Sequence, residues 1–278
     1  MSTIRLMSQN QWNCTPNRPL WEEKGLDCSA EVRMKGHIQI FKDVMPDIVG
    51  GQEVNKDMQL IFKVYALEEN LPYTIIWGNM TPIFYRADKF ELLDTEYILY
   101  PATIEGYEGK FNDARSKSLN LGVFRDKASG KVFIFATTHL WWRGDNTQPG
   151  SNVARVQQVQ QATALLAKYQ EKYGGCPIVF VGDMNCGYTS DPIRYIMNEA
   201  GYLHAHDIAV DFRHEGRGYN GCGTNGPGVW QDRPFETAID HILVKDAPEG
   251  SVKRFDRYCP DYYLPISDHA PVYIDFEI

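Results

Sequence analysis

The hydrophobic pattern of this 278-residue chain consists mainly of short apolar segments, with a few longer stretches in which apolar residues recur at helical spacing. The short segments predict strands at 4–10, 47–52, 73–77, 83–86, 117–124, 131–138, 177–181, 238–244, 252–258 and 271–276. The helical spacing predicts helices at 29–44, 55–67 and 151–173, and a further helix that opens at Asp191-Pro192. Strand-rich halves that each carry helices predict two packed sheets covered outside by helices, an α/β (α+β) fold.

No low-complexity tract, internal repeat or linker divides the sequence, so we expect a single domain over residues 1–278. The N-terminus lacks the basic start and apolar segment of a signal peptide, and no apolar stretch approaches the roughly 18 residues of a membrane span. The six cysteines include no C-x-x-C pair, which favours reduced thiols. We therefore expect a cytoplasmic protein without a membrane span, and nothing in the sequence indicates an obligate protein partner.

The charge balance limits the kind of ligand. The formal net charge is −8, and the longest basic cluster is Lys253-Arg254. Proteins that bind long nucleic acid without sequence preference usually carry a basic face, because neutralising phosphates drives that binding. The sequence therefore favours a small or short substrate.

Polar side chains stand directly at the ends of several predicted strands, where packing gives no reason for them. A single aspartate in such a position is usually a turn or cap residue, but a whole set is harder to explain in that way. The set comprises Asn10, Glu53, His139, Asp183, Asn185, Asp240, Asp268 and His269. By contrast, His241 falls on the opposite strand face from Asp240, and Asp47 follows a proline, so we expect both to be structural.

The chemistry of this set is coherent. Carboxylates and amides without cysteine are hard oxygen ligands, which suit Mg²⁺ or Mn²⁺ and argue against a structural zinc site. Hydrolysis of a phosphate ester needs neutralised phosphoryl oxygens, a positioned water and help for the leaving group. Histidines held by carboxylates can face an anionic phosphate. The set therefore predicts a metal-dependent hydrolase of phosphate esters.

The motifs around these residues resemble those of the endonuclease/exonuclease/phosphatase, or DNase I-like, superfamily, in the family's order and over almost the whole chain. The motifs are Ser8-Gln9-Asn10, Gly51-Gln52-Glu53, Thr137-Thr138-His139-Leu140, Gly182-Asp183-Met184-Asn185, Ile239-Asp240-His241-Ile242 and Ser267-Asp268-His269. The resemblance implies a four-layer α/β/β/α sandwich, which matches the architecture that the pattern predicts. It also implies a nuclease-like phosphodiesterase or a phosphatase as the activity.

The resemblance implies roles for three metal-binding positions. Glu53 resembles the principal metal-binding carboxylate, and Asn10 lies beside it in the family's arrangement. Asp268 resembles a further ligand, direct or through water. The expected cofactor is therefore Mg²⁺ or Mn²⁺, with one or two ions left open.

The other five positions resemble the family's catalytic residues. Asp183 resembles the residue that orients or deprotonates the attacking water, and Asn185 one that holds the phosphate and that water. His269 resembles the histidine on the scissile phosphate, with Asp240 fixing its ring. His139 resembles a second phosphate-facing histidine.

Substrate contacts are expected close to this set. Trp141 and Trp142 follow His139, so their rings could stack on a base or a sugar, and Arg143 could bind a second phosphate. Packing over the sheet edge is the alternative for the two tryptophans. Phe235 is placed where deadenylase-like relatives have an aromatic residue that contacts a base.

The sequence does not decide between two kinds of substrate, and it leaves two other functions as alternatives. The segments around Asn185 differ from those of the phosphoinositide phosphatases and abasic-site endonucleases and are nearer to deadenylase-like and bacterial small-phosphoesterase members. We therefore expect a phosphorylated small molecule or a short nucleic acid as substrate. The alternatives are sphingomyelinase-like cleavage of a phospholipid and a binding module that has the fold without the activity.

Overall fold

Two β-sheets organise the computed structural model, which describes residues 2–13, 18–212 and 235–278. In the described residues, the strands are β1 (Thr3–Asn10), β2 (Ile48–Gln52), β3 (Tyr73–Ile76), β4 (Ile83–Arg86), β5 (Phe90–Leu99), β6 (Ser118–Asp126), β7 (Val132–His139), β8 (Ile178–Asp183), β9 (Leu203–His204), β10 (Asp211–Phe212), β11 (Asp240–Lys245), β12 (Val252–Arg257) and β13 (Val272–Glu277). One sheet has the strand order β10-β12-β13-β1-β2-β4-β3 and the other β5-β6-β7-β8-β11-β9.

Helices cover the outer faces of both sheets. The helices in the described residues are α1 (Arg18–Glu22), α2 (Ala30–Val44), α3 (Lys56–Glu68), α4 (Ser151–Lys172), α5 (Asp191–Arg194), which continues into a π turn at Tyr195–Glu199, and α6 (Ala205–Ile208). Short 3₁₀ turns lie at Phe235–Thr237 and Asp261–Tyr263. None of these helices combines the length and the apolar character that a membrane crossing requires.

Three apolar layers explain why the elements stack in this order. Between the sheets, residues such as Leu6 and Val181 form a core to which both sheets contribute. Phe41 and Phe62, on α2 and α3, pack against the outer face of the seven-stranded sheet. Leu166 on α4 packs against the outer face of the six-stranded sheet. The result is the expected four-layer α/β/β/α sandwich, so the predicted fold class is confirmed.

Local sequence signals set the starts of the two helices over the seven-stranded sheet. The Ser29 hydroxyl accepts a hydrogen bond from the Val32 amide at 3.4 Å, and Asn55 Oδ1 accepts one from the Met58 amide at 2.9 Å. Both contacts satisfy amide groups that have no partner inside the helix. The predicted starts of α2 and α3 are therefore confirmed.

The longest strand of the six-stranded sheet was not predicted. Strand β5 contains ten residues and pairs with β6 along its whole length. It lies at the edge of its sheet, so one side and part of its face meet solvent, and Glu91, Asp94 and Glu96 interrupt its apolar pattern. Charged residues of this kind protect edge strands from pairing with other chains, and they hide the strand from pattern analysis.

Candidate active site

Strand pairing brings three of the predicted catalytic residues into one row. His139 at the end of β7 pairs with Asp183 at the end of the parallel strand β8, and Asp183 pairs with Asp240 at the start of the antiparallel strand β11. All three side chains are buried. Residues paired across neighbouring strands project from the same face, so the row presents two carboxylates and an imidazole at one end of the sandwich.

Close packing between backbone segments requires glycine next to this row. Gly182 has a φ of +151°, and a Cβ atom there would lie 2.1 Å from the carbonyl oxygen of Thr138 on the neighbouring strand. Gly50 faces the other sheet, where a Cβ atom would lie 2.6 Å from the side chain of Thr137. Steric exclusion of a side chain therefore explains why the Gly182-Asp183-Met184-Asn185 motif begins with glycine.

The seven-stranded sheet contributes an amide and a carboxylate to the same site. Asn10, the last residue of β1, donates from Nδ2 to Asp183 Oδ2 at 2.9 Å and to Glu53 Oε1 at 3.4 Å. The backbone amide of Asn13 donates to Glu53 Oε2 at 3.0 Å. Glu53 has a φ of +57°, a conformation that is uncommon for a residue with a side chain. The contacts with Asn10 and Asn13 hold its carboxylate at the junction of the two sheets.

His269 forms the pair with Asp240 that the sequence predicts. Its Nδ1 lies 2.8 Å from Asp240 Oδ2, and its Nε2 lies 3.9 Å from Asp183 Oδ2. Burial lowers the pKa of His269, but the carboxylates of Asp240 and Asp268 outweigh this effect and hold the pKa well above its ordinary value. The ring therefore carries a positive charge and keeps Nε2–H available for an anion.

Asn185 is held in a tight turn after β8. Its backbone amide donates to Asp183 Oδ1 at 2.9 Å, and its side-chain amide donates to the carbonyl oxygen of Leu140 at 3.1 Å. Its φ is +52°. This left-handed conformation suits asparagine better than most residues. The turn places Asn185 directly beside the carboxylate of Asp183.

A buried network supports the loop that carries Asp268 and His269. The guanidinium of Arg33, on α2, donates to the carbonyl oxygen of Ile266 at 2.7 and 3.0 Å and also to that of Gln11. The Ser267 hydroxyl donates to the carbonyl oxygen of Asn10 at 2.8 Å. These contacts connect the residues around Asn10 to the loop before β13.

Lys117 is a site residue that the sequence analysis missed. It is buried just before β6, and its Nζ lies 2.8 Å from His139 Nε2. The pKa of Lys117 is lowered, because burial lowers it more than the carboxylates of Glu53 and Asp183 raise it. Burial, Lys117 and His269 hold the pKa of His139 well below its ordinary value, so this ring is neutral. The site therefore contains two cationic groups, Lys117 and His269.

The predicted substrate-binding residues fall into three groups. Trp141 is 2% exposed, donates from Nε1 to Ser151 Oγ and packs against Phe111, so the prediction that its ring contacts substrate is wrong. Packing under α4 is its role. Trp142 is 51% exposed, and the guanidinium of Arg143 lies 5.0 Å from the centre of its ring. The side chain of Phe235 lies outside the described residues.

Trp142 connects to the site through a carboxylate. Its Nε1 donates to Asp113 Oδ2 at 3.1 Å, and the charges of Asp113 and Lys117 interact. Asp113 thus connects the exposed Trp142 to Lys117, and substrate contact by Trp142 and Arg143 stays a prediction.

Two neighbouring polar residues are structural, as expected. His241 is buried on the other face of β11, where its Nδ1 lies 3.0 Å from His204 Nε2 and its Nε2 lies 2.8 Å from the carbonyl oxygen of Cys186. Asp47 accepts hydrogen bonds from the Arg5 amide and from Lys89 Nζ. The polar atoms of both side chains are engaged in hydrogen bonds that support the fold.

The donor set fits a divalent cation. Ligand atoms of Glu53, His139 and Asp183 all lie within 4.8 Å of one another. Asp268 Oδ1 is buried and has no hydrogen-bond partner among the described residues. Burial raises the pKa of Asp183 to about 6 and that of Asp268 to about 7; the charge of His269 opposes both shifts, and neighbouring carboxylates add to them. Closely spaced buried carboxylates repel one another unless a cation or a proton neutralises them.

Asp268→Asn is expected to raise the melting temperature of the metal-free protein at about pH 8 by at least about 2 °C. The folded-state pKa of Asp268 is about 7, against 3.8 for an unperturbed aspartate. The folded state therefore binds more protons than the unfolded state between these values, and the free energy of unfolding falls as pH rises through that window. Asparagine at position 268 carries no charge, so the variant does not lose this part of the free energy of unfolding as pH rises.

The measurement is thermal denaturation in EDTA and in Mg²⁺ over a series of pH values. Wild-type protein should gain stability from Mg²⁺ above about pH 7, and Asp268→Asn should gain less. A lower melting temperature for metal-free Asp268→Asn at high pH would contradict the assignment of a desolvated carboxylate with a raised pKa to this position.

Lys117→Met is expected to lower kcat/KM for a phosphate ester by about 100-fold, because it replaces a buried cation next to the site by an uncharged, unbranched side chain that is one atom shorter. The exposed Lys168 on α4 provides the control, and Lys168→Met should change kcat/KM less than twofold. Steady-state kinetics of the three proteins at saturating Mg²⁺ makes the comparison. Equal kcat/KM in Lys117→Met and the wild type would remove Lys117 from the site.

Comparison with known proteins identifies the family to which this chain belongs and the structures that share its fold. The model of the endonuclease/exonuclease/phosphatase family matches residues 33–269. No curated protein matches the chain by sequence. An endonuclease/exonuclease/phosphatase structure from Bacteroides vulgatus is 24% identical, with 100% of each chain covered and a TM-score of 0.73. A mannosyl-6-phosphatase from Bacteroides thetaiotaomicron is 20% identical, with 99% of this chain and 100% of that one covered and a TM-score of 0.68.

A human protein also has this fold. The catalytic domain of human Nocturnin is 17% identical, with 99% of this chain and 94% of that one covered and a TM-score of 0.66. At these identities the structural matches establish the shared fold.

Proposed function

We propose that the chain, which belongs to the endonuclease/exonuclease/phosphatase family, hydrolyses phosphate esters with water in the presence of Mg²⁺ or Mn²⁺. The observation that carries this proposal is the convergence of the Asp240–His269 pair, Asp183 and Glu53 where the two sheets meet. An isolated carboxylate cluster would suit cation storage. The charged ring of His269 can bind an anionic substrate. The neighbouring carboxylate of Asp183, with its raised pKa, can take a proton from an attacking water.

Asp183 is the proton acceptor in this proposal. Its raised pKa of about 6 brings its basicity close to neutral pH, where a general base is most effective. Asn10 Nδ2 donates to one of its oxygens and the Asn185 amide to the other, which fixes the plane of the carboxylate. A water between Asp183 and the phosphorus atom would lose its proton to the carboxylate as its oxygen attacks.

His269 and Lys117 neutralise the phosphoryl oxygens from two sides. Asp240 orients the His269 ring and keeps it charged, so Nε2–H is placed to donate to the phosphoryl oxygens as negative charge develops on them. Lys117 brings its ammonium group to the opposite side, next to His139. Charge that develops on the phosphoryl group thus meets preorganised donors in a buried site, where they are most effective.

Glu53, Asp268 and Asn10 would hold the divalent cation. When bound, the cation supplies Lewis-acid stabilisation of charge on the phosphate and on the departing oxygen. The residues themselves are acidic or amide donors without thiols, which suits Mg²⁺ or Mn²⁺.

The proposed substrate is a small phosphorylated molecule or a short nucleic acid. The net charge of −8 supports this size class, because a long polyanion would be repelled outside the site. The experiment is a panel containing bis-p-nitrophenyl phosphate, p-nitrophenyl phosphate, sugar phosphates, a short oligonucleotide and a phosphoinositide, assayed with Mg²⁺, Mn²⁺ and EDTA. Turnover of one or more members that EDTA abolishes is expected. Folded, metal-loaded protein that is inactive on every member would contradict the proposal and favour the binding-module alternative.

A further inference from the structure

Lys117 lies one residue beyond the regular strand pairing of its sheet. The last pairs at this end of β6 join Ser118 to Leu99 on β5 and to His139 on β7. Lys117 precedes both pairs, and the amide of Tyr100, which follows β5, donates to its carbonyl oxygen at 3.0 Å. The strand ladder therefore ends just before the segment that carries the buried ammonium group.

The place of this ammonium group depends on how firmly the backbone of Lys117 is held. A lysine side chain is a flexible four-carbon stem, and its charge is strongly hydrated when water can reach it. Lys117 is 3% exposed, and its Nζ lies 2.8 Å from Nε2 and 3.4 Å from Nδ1 of His139, a neutral ring. A hydrogen bond to a neutral ring offsets less of the cost of burying a charge than an ion pair does. A loosened backbone would therefore let Nζ move away from His139.

The side chain of Asn112 supplies the missing backbone partner. Its Oδ1 accepts a hydrogen bond from the Lys117 amide at 3.0 Å, and its Nδ2 donates to the Lys117 carbonyl oxygen at 2.8 Å. Nδ2 also donates to the carbonyl oxygen of Tyr100 at 2.8 Å. One carboxamide thus imitates a paired strand residue, which offers one acceptor and one donor. We call these three hydrogen bonds the Asn112 clamp.

The segment that carries the clamp is anchored to helix α4. Asn112 is buried, and Phe111 before it packs against Trp141, with ring centres 6.0 Å apart. Gln158 on α4 donates from Nε2 to the carbonyl oxygen of Phe111 at 3.3 Å and accepts a hydrogen bond from the Trp141 amide at 2.9 Å. Trp141 follows His139 by two residues. The clamp and the histidine that Lys117 contacts therefore share one support.

A turn in an uncommon conformation joins Asn112 to Lys117. Ala114 and Arg115 have φ of +45° and +57°, in the left-handed region that residues with side chains rarely adopt. Two successive residues in this region persist only where the surrounding contacts hold them, and such strained segments cluster at functional sites. The turn brings the side chain of Asn112 back to a residue five positions later in the chain.

We propose that Asn112 is a positioning residue for the phosphoryl group of the substrate. It holds the backbone of Lys117 and thereby keeps the ammonium group beside His139, where it meets a phosphoryl oxygen. Asn112 itself does not touch the substrate. The proposal rests on the proposed function, which places the phosphate between Lys117 and His269. It predicts that the loss of Asn112 affects the reaction only while Lys117 is present.

The test is a double-mutant cycle of Asn112→Ala and Lys117→Met, measured as kcat/KM at saturating Mg²⁺ for the best substrate of the panel. Asn112→Ala should lower kcat/KM at least about tenfold in the wild-type background, because a misplaced charged group loses most of its effect. In the Lys117→Met background it should lower kcat/KM less than about twofold. An asparagine with only a structural role would lower kcat/KM by the same factor in both backgrounds, and that result would overturn the proposal.

Asn79→Ala is the matched control. Asn79 is exposed, and its Nδ2 donates to the carbonyl oxygen of Arg115 at 2.7 Å, so this variant also removes a hydrogen bond from a side-chain amide to the segment before Lys117. It leaves the Asn112 clamp intact and should change kcat/KM less than about twofold. If Asn112→Ala does not fold, Asn112→Ser is the milder variant, because a hydroxyl group cannot replace all three hydrogen bonds of the clamp. It should show the same dependence on Lys117.

Binding of inorganic phosphate in the presence of Mg²⁺, measured by calorimetry, repeats the cycle without turnover. Asn112→Ala should weaken this binding at least about threefold in the wild-type background and leave it unchanged in the Lys117→Met background. Equal weakening in both backgrounds, or none in either, would overturn the role of Asn112 even if the protein hydrolyses esters. The expected coupling in a protein that hydrolyses no member of the panel would support the role of Asn112 and contradict the proposed function alone.

Discussion

Replacing His269 by alanine is expected to lower kcat by between about 100- and 10,000-fold, with KM changing much less. The charged ring is the group whose Nε2–H faces the region between Asp183 and Asp268, at 3.9 and 3.8 Å from their carboxylates. Alanine removes this donor and leaves the carboxylates unopposed by a cation on that side. Initial rates of bis-p-nitrophenyl phosphate hydrolysis at saturating Mg²⁺ measure the loss.

Asp240→Asn separates chemistry from folding, because asparagine has nearly the shape of aspartate. The carboxylate of Asp240 raises the pKa of His269, so the variant should have a lower pKa there. The rate of Asp240→Asn should therefore begin to fall at a lower pH on the alkaline side of the profile than the wild-type rate. A loss of less than threefold in His269→Ala, or an unchanged alkaline limb in Asp240→Asn, would remove this pair from the mechanism.

Glu53→Gln is the second large effect that we expect, with kcat/KM reduced at least about 100-fold at limiting Mg²⁺. The variant keeps the size of the side chain and the contact with Asn10, but it removes one negative charge from the proposed cation site. Raising the Mg²⁺ concentration should recover part of the loss. The measurement is kcat/KM as a function of Mg²⁺ concentration.

Glu68→Gln is the matched control for Glu53→Gln. Glu68 is the exposed last residue of α3, on the same helix that begins after Glu53. Its replacement should leave the Mg²⁺ dependence unchanged. The same Mg²⁺ dependence in Glu53→Gln and in wild-type protein would place the cation elsewhere.

The sequence predicts the central residues because each of them stands at one end of a strand. Strands β7 and β8 are parallel and β8 and β11 antiparallel, so the end of β7, the end of β8 and the start of β11 coincide. This geometry brings His139, Asp183 and Asp240 together, although 101 residues separate the first from the last. The two-sheet architecture also follows from the strand-rich halves of the sequence, each of which carries helices.

Lys117 could not be predicted in the same way. A lysine at the start of a strand is normally exposed, and only the pairing of Ser118 with His139 shows that its neighbour faces the site. Strand β5 was missed for a related reason. Its acidic residues belong to its position at the sheet edge, and that position is not visible in the sequence. Trp141 was predicted to contact substrate because the sequence does not distinguish two adjacent tryptophans. In the structure only the second of them, Trp142, is exposed.

Hydrolysis of bis-p-nitrophenyl phosphate by metal-stripped wild-type protein, before and after Mg²⁺ is added, tests the central claim most directly. The carboxylates of Glu53, Asp183 and Asp268, of which that of Asp183 is buried, account for a requirement for a divalent cation. We expect no turnover without metal and saturable turnover once Mg²⁺ or Mn²⁺ is present. Turnover that is equal in EDTA and in Mg²⁺, or absent with both metals, would contradict a metal-dependent phosphoesterase at this site.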